Sequence, residues 1–334
     1  MEHSICPAVA TFLLFSGGII LERFGRLDLS IFHQFYSPRS EVSIYLKKKS
    51  QIKELEPKVT SKGYKVESQG SSNLAKGMPH PYPLPRFNSK EEEIQQQKEH
   101  MACAFRIFGR LGFAEGVGLA GHFTLRDGNT FWINPLGKHF SLMKVSDFVH
   151  VDEEGNILPD GNQAAINNAG FSIHSAIHKA RPDVNAACHF HSPYGKSYSA
   201  LGLPLDMINQ DVCIFYKNHS VFTDFGGVAF DPNEGIAIAE SIGNGKGAIL
   251  QNHGIITVGK TVDETAFLYM LMENSCRCQI LANSALKPGD SLKIIKDDVA
   301  AYTEEMTGDP ETLYGEFQPD YELELMRSNG DFLK

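Results

Sequence analysis

Two histidines one residue apart, His189 and His191, stand in the run Ala187-Cys188-His189-Phe190-His191-Ser192-Pro193. The apolar residues before them and the closing proline read as a strand over 184–191. Alternate residues of a strand point to one face, so both imidazoles converge while Phe190 turns to the opposite layer. Two imidazoles on one strand face make half a zinc site. His253 is a third ligand candidate, at the end of the apolar run Gly247-Ala248-Ile249-Leu250-Gln251-Asn252-His253-Gly254, where Gly254 is expected to let the backbone turn tightly. Three histidines with an open fourth position form a catalytic metal geometry, suited to Zn²⁺ and open to Mn²⁺, Fe²⁺ or Co²⁺. Spacing alone leaves the other reading open, in which these are strand and loop histidines satisfied by ordinary packing. His122, beside Gly121 at the start of a hairpin, adds an imidazole able to donate to an oxyanion or shuttle a proton.

Such residues need a layered scaffold to aim them. Residues 122–126 and 130–133 flank Asp127-Gly128-Asn129 and read as a hairpin. A helix over 171–180, a strand over 247–251 and a long helix over 263–281 complete an alternation of strands and helices that predicts an α/β domain. Ser89, followed by Glu91, Glu92 and Glu93 and then by Met101, Phe105, Phe108 and Leu111 at helical spacing, marks where that domain begins. The expected organisation is therefore an apolar extension (1–36), a disordered or extended linker (37–89), the main domain (90–285) and an irregular wrapping segment (286–334). The linker ends in Met-Pro-His-Pro-Tyr-Pro-Leu-Pro, which forces an extended path. His174, amid Ile173, Ala176 and Ile177, reads as a core histidine, and Asp263-Glu264 as charges that suit a helix start.

With 42% hydrophobic and 21% charged residues in 334, the chain is no coiled coil, collagen or wholly disordered protein. Residues 1–95 carry 13 Lys/Arg against 10 Asp/Glu and the remainder 18 against 30, so the body is strongly acidic. Nucleic acid, which needs clustered positive charge, is excluded as an expected partner. Six scattered cysteines without a C-x-x-C pair suit reduced thiols and a cytoplasmic location. The apolar run 5–21 has the length of a membrane or targeting segment, but no basic residue precedes it and Pro7 and Gly17-Gly18 interrupt it. A poorly ordered extension is the expectation.

The segment 171–193, with Ile173-His174-Ser175-Ala176-Ile177 and Ala180-Arg181-Pro182-Asp183-Val184-Asn185, together with Gln251-Asn252-His253-Gly254, resembles the class II aldolase/adducin family. Gly121-His122-Phe123-Thr124-Leu125-Arg126 and Asn134-Pro135-Leu136-Gly137 match its adducin-like branch in the right order. The resemblance covers about residues 91–285. It implies a three-layer αβα fold whose mainly antiparallel central sheet is covered by helices, and a homotetramer with active sites between subunits. It also implies Zn²⁺ on His189, His191 and His253, Lewis-acid cleavage of a small-molecule substrate, and substrate contacts at Asn134, Gly137 and Asn168. Family enzymes draw on tyrosines from a neighbouring subunit and from the C-terminal segment, which makes Tyr321 a proton carrier to set beside His122. Tyr194, Asp211, Tyr216, His219 and Tyr314 are further candidates.

The departures from the family pattern shape the expected chemistry. Its aldolases carry Ser-Ser-Glu just before the helix bearing His174, and Gly170 stands in the place of that Glu. His122 stands where a sugar-phosphate aldolase has Asn, and Leu136 where it has Ser. Leucine cannot donate a hydrogen bond to phosphate. The expected function is thus a metal-dependent lyase acting on an unphosphorylated carbonyl or hydroxy-acid compound by retro-aldol cleavage or decarboxylation. A catalytically silent scaffold domain with actin contacts is the alternative. The lost Glu favours the scaffold, although the sequence carries no Lys-rich segment of the kind that ends animal adducins.

Overall fold

Residues 70–114, 120–227 and 232–334 are described by the structure, a computed structural model. Helix α1 (Lys90–Arg110) starts as its sequence requires: Ser89 accepts a hydrogen bond from the Glu92 amide at 3.2 Å, and Glu91, Glu92 and Glu93 fill the first turn. The hairpin forms from β1 (His122–Asp127) and β2 (Thr130–Ile133), paired antiparallel around Gly128 at φ +61°. There follow β3 (Val149–Val151), α2 (Asn168–Ala180), β4 (Ala186–Phe190), α3 (Pro193–Ser199), β5 (His219–Phe222), α4 (Pro232–Ile242), β6 (Gly247–Leu250), β7 (Gly254–Gly259) and α5 (Val262–Ser284). Helices α6 (Asp297–Thr307) and α7 (Pro310–Ser328) close the chain.

The seven strands form one sheet in the order β3-β2-β1-β4-β7-β6-β5, antiparallel throughout except for the β5–β6 pair. Strand alternation divides its side chains between two cores. On one face Phe123, Leu125, Cys188, Phe190, Ile249 and Ile255 pack with buried residues of α1, α5 and α7. The rings of Phe105, Phe108, Phe140 and Tyr269 surround Phe190 at centroid distances of 4.9 to 5.7 Å, a tight edge-on aromatic centre. On the other face Ala187, Ala248, Ile256 and Val258 meet Ile173 and Ile177 of α2 and Ile238 and Ile242 of α4. The result is the expected three-layer α/β architecture with a mainly antiparallel sheet.

Two expectations change. The stretch 286–334 is mostly helical, and only 286–296 is irregular. Asp309 caps α7 by accepting from the Glu311 and Thr312 amides, Pro310 occupies its first position, and Leu313 and Phe317 bury one face. The polar composition and Pro319 hid that periodicity in the sequence. The end of the expected linker is also engaged: Ser71 is buried and donates to Glu311 Oε1 at 3.0 Å, and the His80 ring lies so close to Gly315 that a Cβ there would sit 2.7 Å from it. The apolar extension 1–36 and residues 37–69 of the linker lie outside the described residues. Among the described residues no helix is long and apolar enough to cross a membrane.

Candidate metal centre

His189 lies in β4, and His191 follows immediately after it, at the corner that leads into α3. His253 lies in the turn between β6 and β7, so the pairing of β4 with β7 brings it to the other two. The three rings sit at centroid distances of 4.7 to 5.2 Å, with one ligand atom from each within 4.8 Å of the others. A tetrahedral ion with bonds of about 2.1 Å asks for nitrogens roughly 3.4 Å apart, a distance that small side-chain rotations reach. The His189 Nδ1–H donates to the Ile255 carbonyl at 2.9 Å, which leaves the Nε2 lone pair available. Burial above all, and then the neighbouring rings, hold His189 well below the usual imidazole range and lower His253 to about 4. His189 is therefore a neutral nitrogen donor with a backbone carbonyl behind it, the chemistry a divalent metal requires.

Gly254 helps in a different way from the one expected. The left-handed residue of the turn is Asn252, at φ +59°. Gly254 instead allows close approach, since a Cβ there would sit 2.8 Å from the Phe190 carbonyl oxygen.

His122 is the cross-strand partner of His189 in the β1–β4 ladder, and the two rings lie nearly parallel at 6.3 Å. Its imidazole is buried, and neither ring nitrogen has a hydrogen-bond partner among the described residues. Burial first, and then His191 and His253, push its pKa down to about 3, so the ring is neutral. Gly170 makes room for it: a Cβ built on Gly170 would lie 2.5 Å from Cγ, Nδ1 and Cε1 of the His122 ring. The side-chain space that the family's Glu would enter is thus filled by an imidazole from the neighbouring strand. His174 is a core residue as expected, its Nδ1 sharing a 2.8 Å hydrogen bond with Thr124 Oγ1, although its Nε2 has no partner among the described residues.

Behind the site Glu273 of α5 fixes the corner after His191. Its Oε2 accepts from Ser192 Oγ at 2.5 Å and from the Gly195 amide at 2.6 Å, and its Oε1 accepts from the Tyr194 amide at 2.8 Å. Tyr269 donates to the Phe190 carbonyl at 2.9 Å from the same layer.

A cavity of about 590 Å³ opens over the histidines, lined also by Asn167, Ile173, Lys196, Phe225 and Asn252. Sequence reasoning assigned none of these five to the site: Asn167, Lys196 and Phe225 belong to no motif, and Ile173 and Asn252 lie in the motifs around His174 and His253 without a role of their own there. The other expected site residues fall elsewhere. Asn168 faces a separate groove between α2 and α4, and Asn167, the cap of α2, takes the cavity position. Asn134 spends its side chain holding the start of β1, accepting from the Phe123 amide and donating to the Gly121 carbonyl. With Gly137 it lines a recess of only about 10 Å³. Tyr321 belongs to the opposite layer, stacked on His100 at 3.9 Å, and this chain does not bring it to its own histidines. Asp263, read as a helix-start charge, is fully buried between His100 and Gln318, at 2.5 and 2.8 Å.

A sequence profile described as Class II Aldolase and Adducin N-terminal domain matches residues 99–280. The meiotically up-regulated gene 14 protein of Schizosaccharomyces pombe is 47% identical over 74% of this chain and 96% of its own length. Decarboxylase NovR of Streptomyces niveus is 37% identical over 73% of this chain and 89% of its own. Among solved structures, an L-fuculose 1-phosphate aldolase from Glaciozyma antarctica superposes with a TM-score of 0.68 at 38% identity, covering 75% of this chain and 97% of that one.

Two outcomes follow from the packing and the buried rings. Alanine in place of glycine inside a helix ordinarily adds up to about 1 kcal/mol, yet Gly170→Ala is expected to lower the melting temperature because its Cβ meets His122. His122→Ala in the same chain should recover most of the loss, and a Gly170→Ala protein at least as stable as wild type contradicts the contact. Burial is the leading cause of the low pKa of His122 and His178, both about 3, and of His253, about 4. The unfolded chain takes up protons near pH 6.5 that the metal-free folded protein takes up only at those lower values, so stability must fall with pH across that window. Chemical denaturation of metal-free protein from pH 7 to pH 4 should show a steadily decreasing unfolding free energy; a flat profile contradicts it.

Proposed function

The chain belongs to the class II aldolase and adducin N-terminal domain family, and from that premise we propose that it is a metal-dependent lyase breaking a C–C bond in an unphosphorylated carbonyl or hydroxy-acid substrate. The observation that carries the reading is the convergence of His189, His191 and His253 beside a fourth imidazole that has no hydrogen-bond partner among the described residues. When bound there, Zn²⁺ or a similar divalent ion would supply Lewis acidity toward a substrate carbonyl. His122 does the proton work. In retro-aldol cleavage a neutral ring nitrogen takes the proton of the substrate hydroxyl as the adjacent C–C bond breaks and the hydroxyl carbon becomes a carbonyl. The bond's electron pair stays on the other carbon, which then receives the same proton from His122, so nothing is consumed. In decarboxylation the pair left by departing CO₂ receives a proton from His122, and the ring takes the replacement proton from solvent, so one proton is consumed for each CO₂ released. An anionic substrate raises the His122 pKa toward the working range, since opposite charge favours the imidazolium.

The recess formed by Gly121, Asn134, Leu136, Gly137 and Lys138 supports an unphosphorylated substrate. At about 10 Å³ it holds no more than a water, and the Lys138 ammonium is already engaged by Asp147 at 2.5 Å. Decarboxylase NovR agrees by its name with this reading, whereas the Glaciozyma structure, an L-fuculose 1-phosphate aldolase, points the other way. In this reading the protein is a cytoplasmic homotetramer, and Tyr321 reaches a site only across a subunit boundary.

Metal analysis of the purified protein should find close to one divalent ion per chain. His191→Ala is expected to lose both metal and turnover. His122→Ala should keep the metal and lose roughly 10²- to 10⁴-fold in rate, the usual yield of a positioned proton carrier. A folded wild-type protein that takes up no metal would overturn the lyase and leave the scaffold with actin contacts.

A further inference from the structure

The cavity over the histidines has an unusual charge inventory. Its described lining contains no Asp or Glu, and Lys196 is the one Lys or Arg in it, beside the imidazoles of His122, His189, His191 and His253. Lys196 forms no ion pair with any acidic group among the described residues. Glu273, the nearby acid whose carboxylate the Lys196 charge reaches without an ion pair, is held by Ser192 Oγ and the Tyr194 and Gly195 amides.

Local structure fixes where this charge can go. Lys196 sits on α3, five residues after His191, and its amide closes the first helical turn on the Ser192 carbonyl at 3.0 Å. The bracket of Glu273 on that corner ties the helix to the metal-ligating strand end. The base of the lysine stem therefore has a set relation to the His191 ring, while its long side chain reaches into the opening. A divalent ion on the three histidines would add two further positive charges, so the only species that leaves the cavity balanced is an anion. The lining also carries apolar residues, Ala120, Ala169, Ile173 and the exposed ring of Phe225, which lies 5.9 Å from the His253 ring. A volume of about 590 Å³ exceeds what a three-carbon acid fills.

We infer that Lys196 is the specificity-determining residue of this site, binding the carboxylate of a 2-oxo or 2-hydroxy acid whose apolar, aryl-sized remainder lies against Phe225 and Ile173. The inference rests on the metal-site reading above and adds to it the identity of the anion and the shape of its tail. A phosphate would satisfy the same ammonium, so the test includes one.

Phenylpyruvate serves as the carboxylate probe, methyl phenylpyruvate as its uncharged counterpart and dihydroxyacetone phosphate as the phosphate probe. Binding of each to the zinc-loaded full chain is measured by calorimetry for wild type, Lys196→Met and Lys196→Arg. Wild type should bind the acid about tenfold or more tightly than the ester. Lys196→Met should lose about tenfold in affinity for the acid, about 1.4 kcal/mol, with the ester unchanged, and Lys196→Arg should retain most of the acid affinity. Zinc content, measured on the same samples, reports on the metal reading separately: a wild type without zinc sinks that reading, whereas Lys196→Met with full zinc and undiminished acid affinity sinks only the role of Lys196. Tighter binding of dihydroxyacetone phosphate than of phenylpyruvate by wild type, or no binding of phenylpyruvate at all, overturns the substrate class.

Discussion

The structure turns on one register: His122 of β1 is paired directly with His189 of β4 on a face of the sheet that water barely reaches. The β4–β7 pairing carries His253 to the same place, so four imidazoles share a small, poorly solvated volume. Charging any one of them there costs desolvation and repulsion, which is why all are driven to the neutral form. Neutral imidazoles present the lone pairs that a divalent ion would use on three of them. The fourth, His122, keeps both nitrogens unsatisfied among the described residues until something enters the cavity.

The rest of the fold can be read as what makes this face tolerable. Its reverse side carries a close aromatic cluster, with Phe190 between His189 and His191 in sequence and four aromatic rings around it. Backbone alternation ties the two properties together, since any displacement of Phe190 would move His189 and His191 as well. Glycines supply the close approaches that a side chain would block, Gly254 against the Phe190 carbonyl and Gly170 against the His122 ring. Glu273 is buried and pushed upward in pKa by that burial, but three donors hold it and through them the corner after His191. Core packing and site geometry here are one set of contacts seen from two faces.

Much of this was legible in the sequence, for identifiable reasons. The His-x-His pair sits on an apolar run with strand alternation, so its shared face follows from backbone geometry alone. The hairpin and the start of α1 carry their own punctuation in Asp127-Gly128-Asn129 and Ser89. What escaped detection depends on contacts between distant segments. Nothing in the neighbourhood of Lys196 says that it forms no ion pair among the described residues, because that depends on the donors that hold Glu273. Asn168 and Asn167 differ by one residue in the chain and by opposite sides of a helix in space, a distinction finer than motif matching resolves. The C-terminal helices were obscured by acidic composition and by Pro319, even though Leu313 and Phe317 have the spacing of a buried stripe. Tyr321 was chosen through the family resemblance, which speaks of assembled subunits, and its place in a single chain is the aromatic layer against His100.

Gly170 bears most directly on the choice between enzyme and scaffold. Read from sequence, glycine in place of the family's Glu is a loss, and a loss favours a silent domain. In space it is an exchange, because the His122 ring occupies the volume next to the Gly170 Cα and a side chain there could not coexist with it. A domain with no chemistry left to perform gains nothing from a buried imidazole without hydrogen bonds; an apolar residue of similar size would fill the same hole and remove the penalty of about 1–3 kcal/mol. Instead the ring stands against His189, at the edge of a cavity large enough for a substrate. Unsatisfied polar groups that persist in an otherwise well-packed region are where function is expected to outweigh stability. The exchange of a helix carboxylate for a strand imidazole is therefore better explained as a change in the proton carrier than as its disappearance.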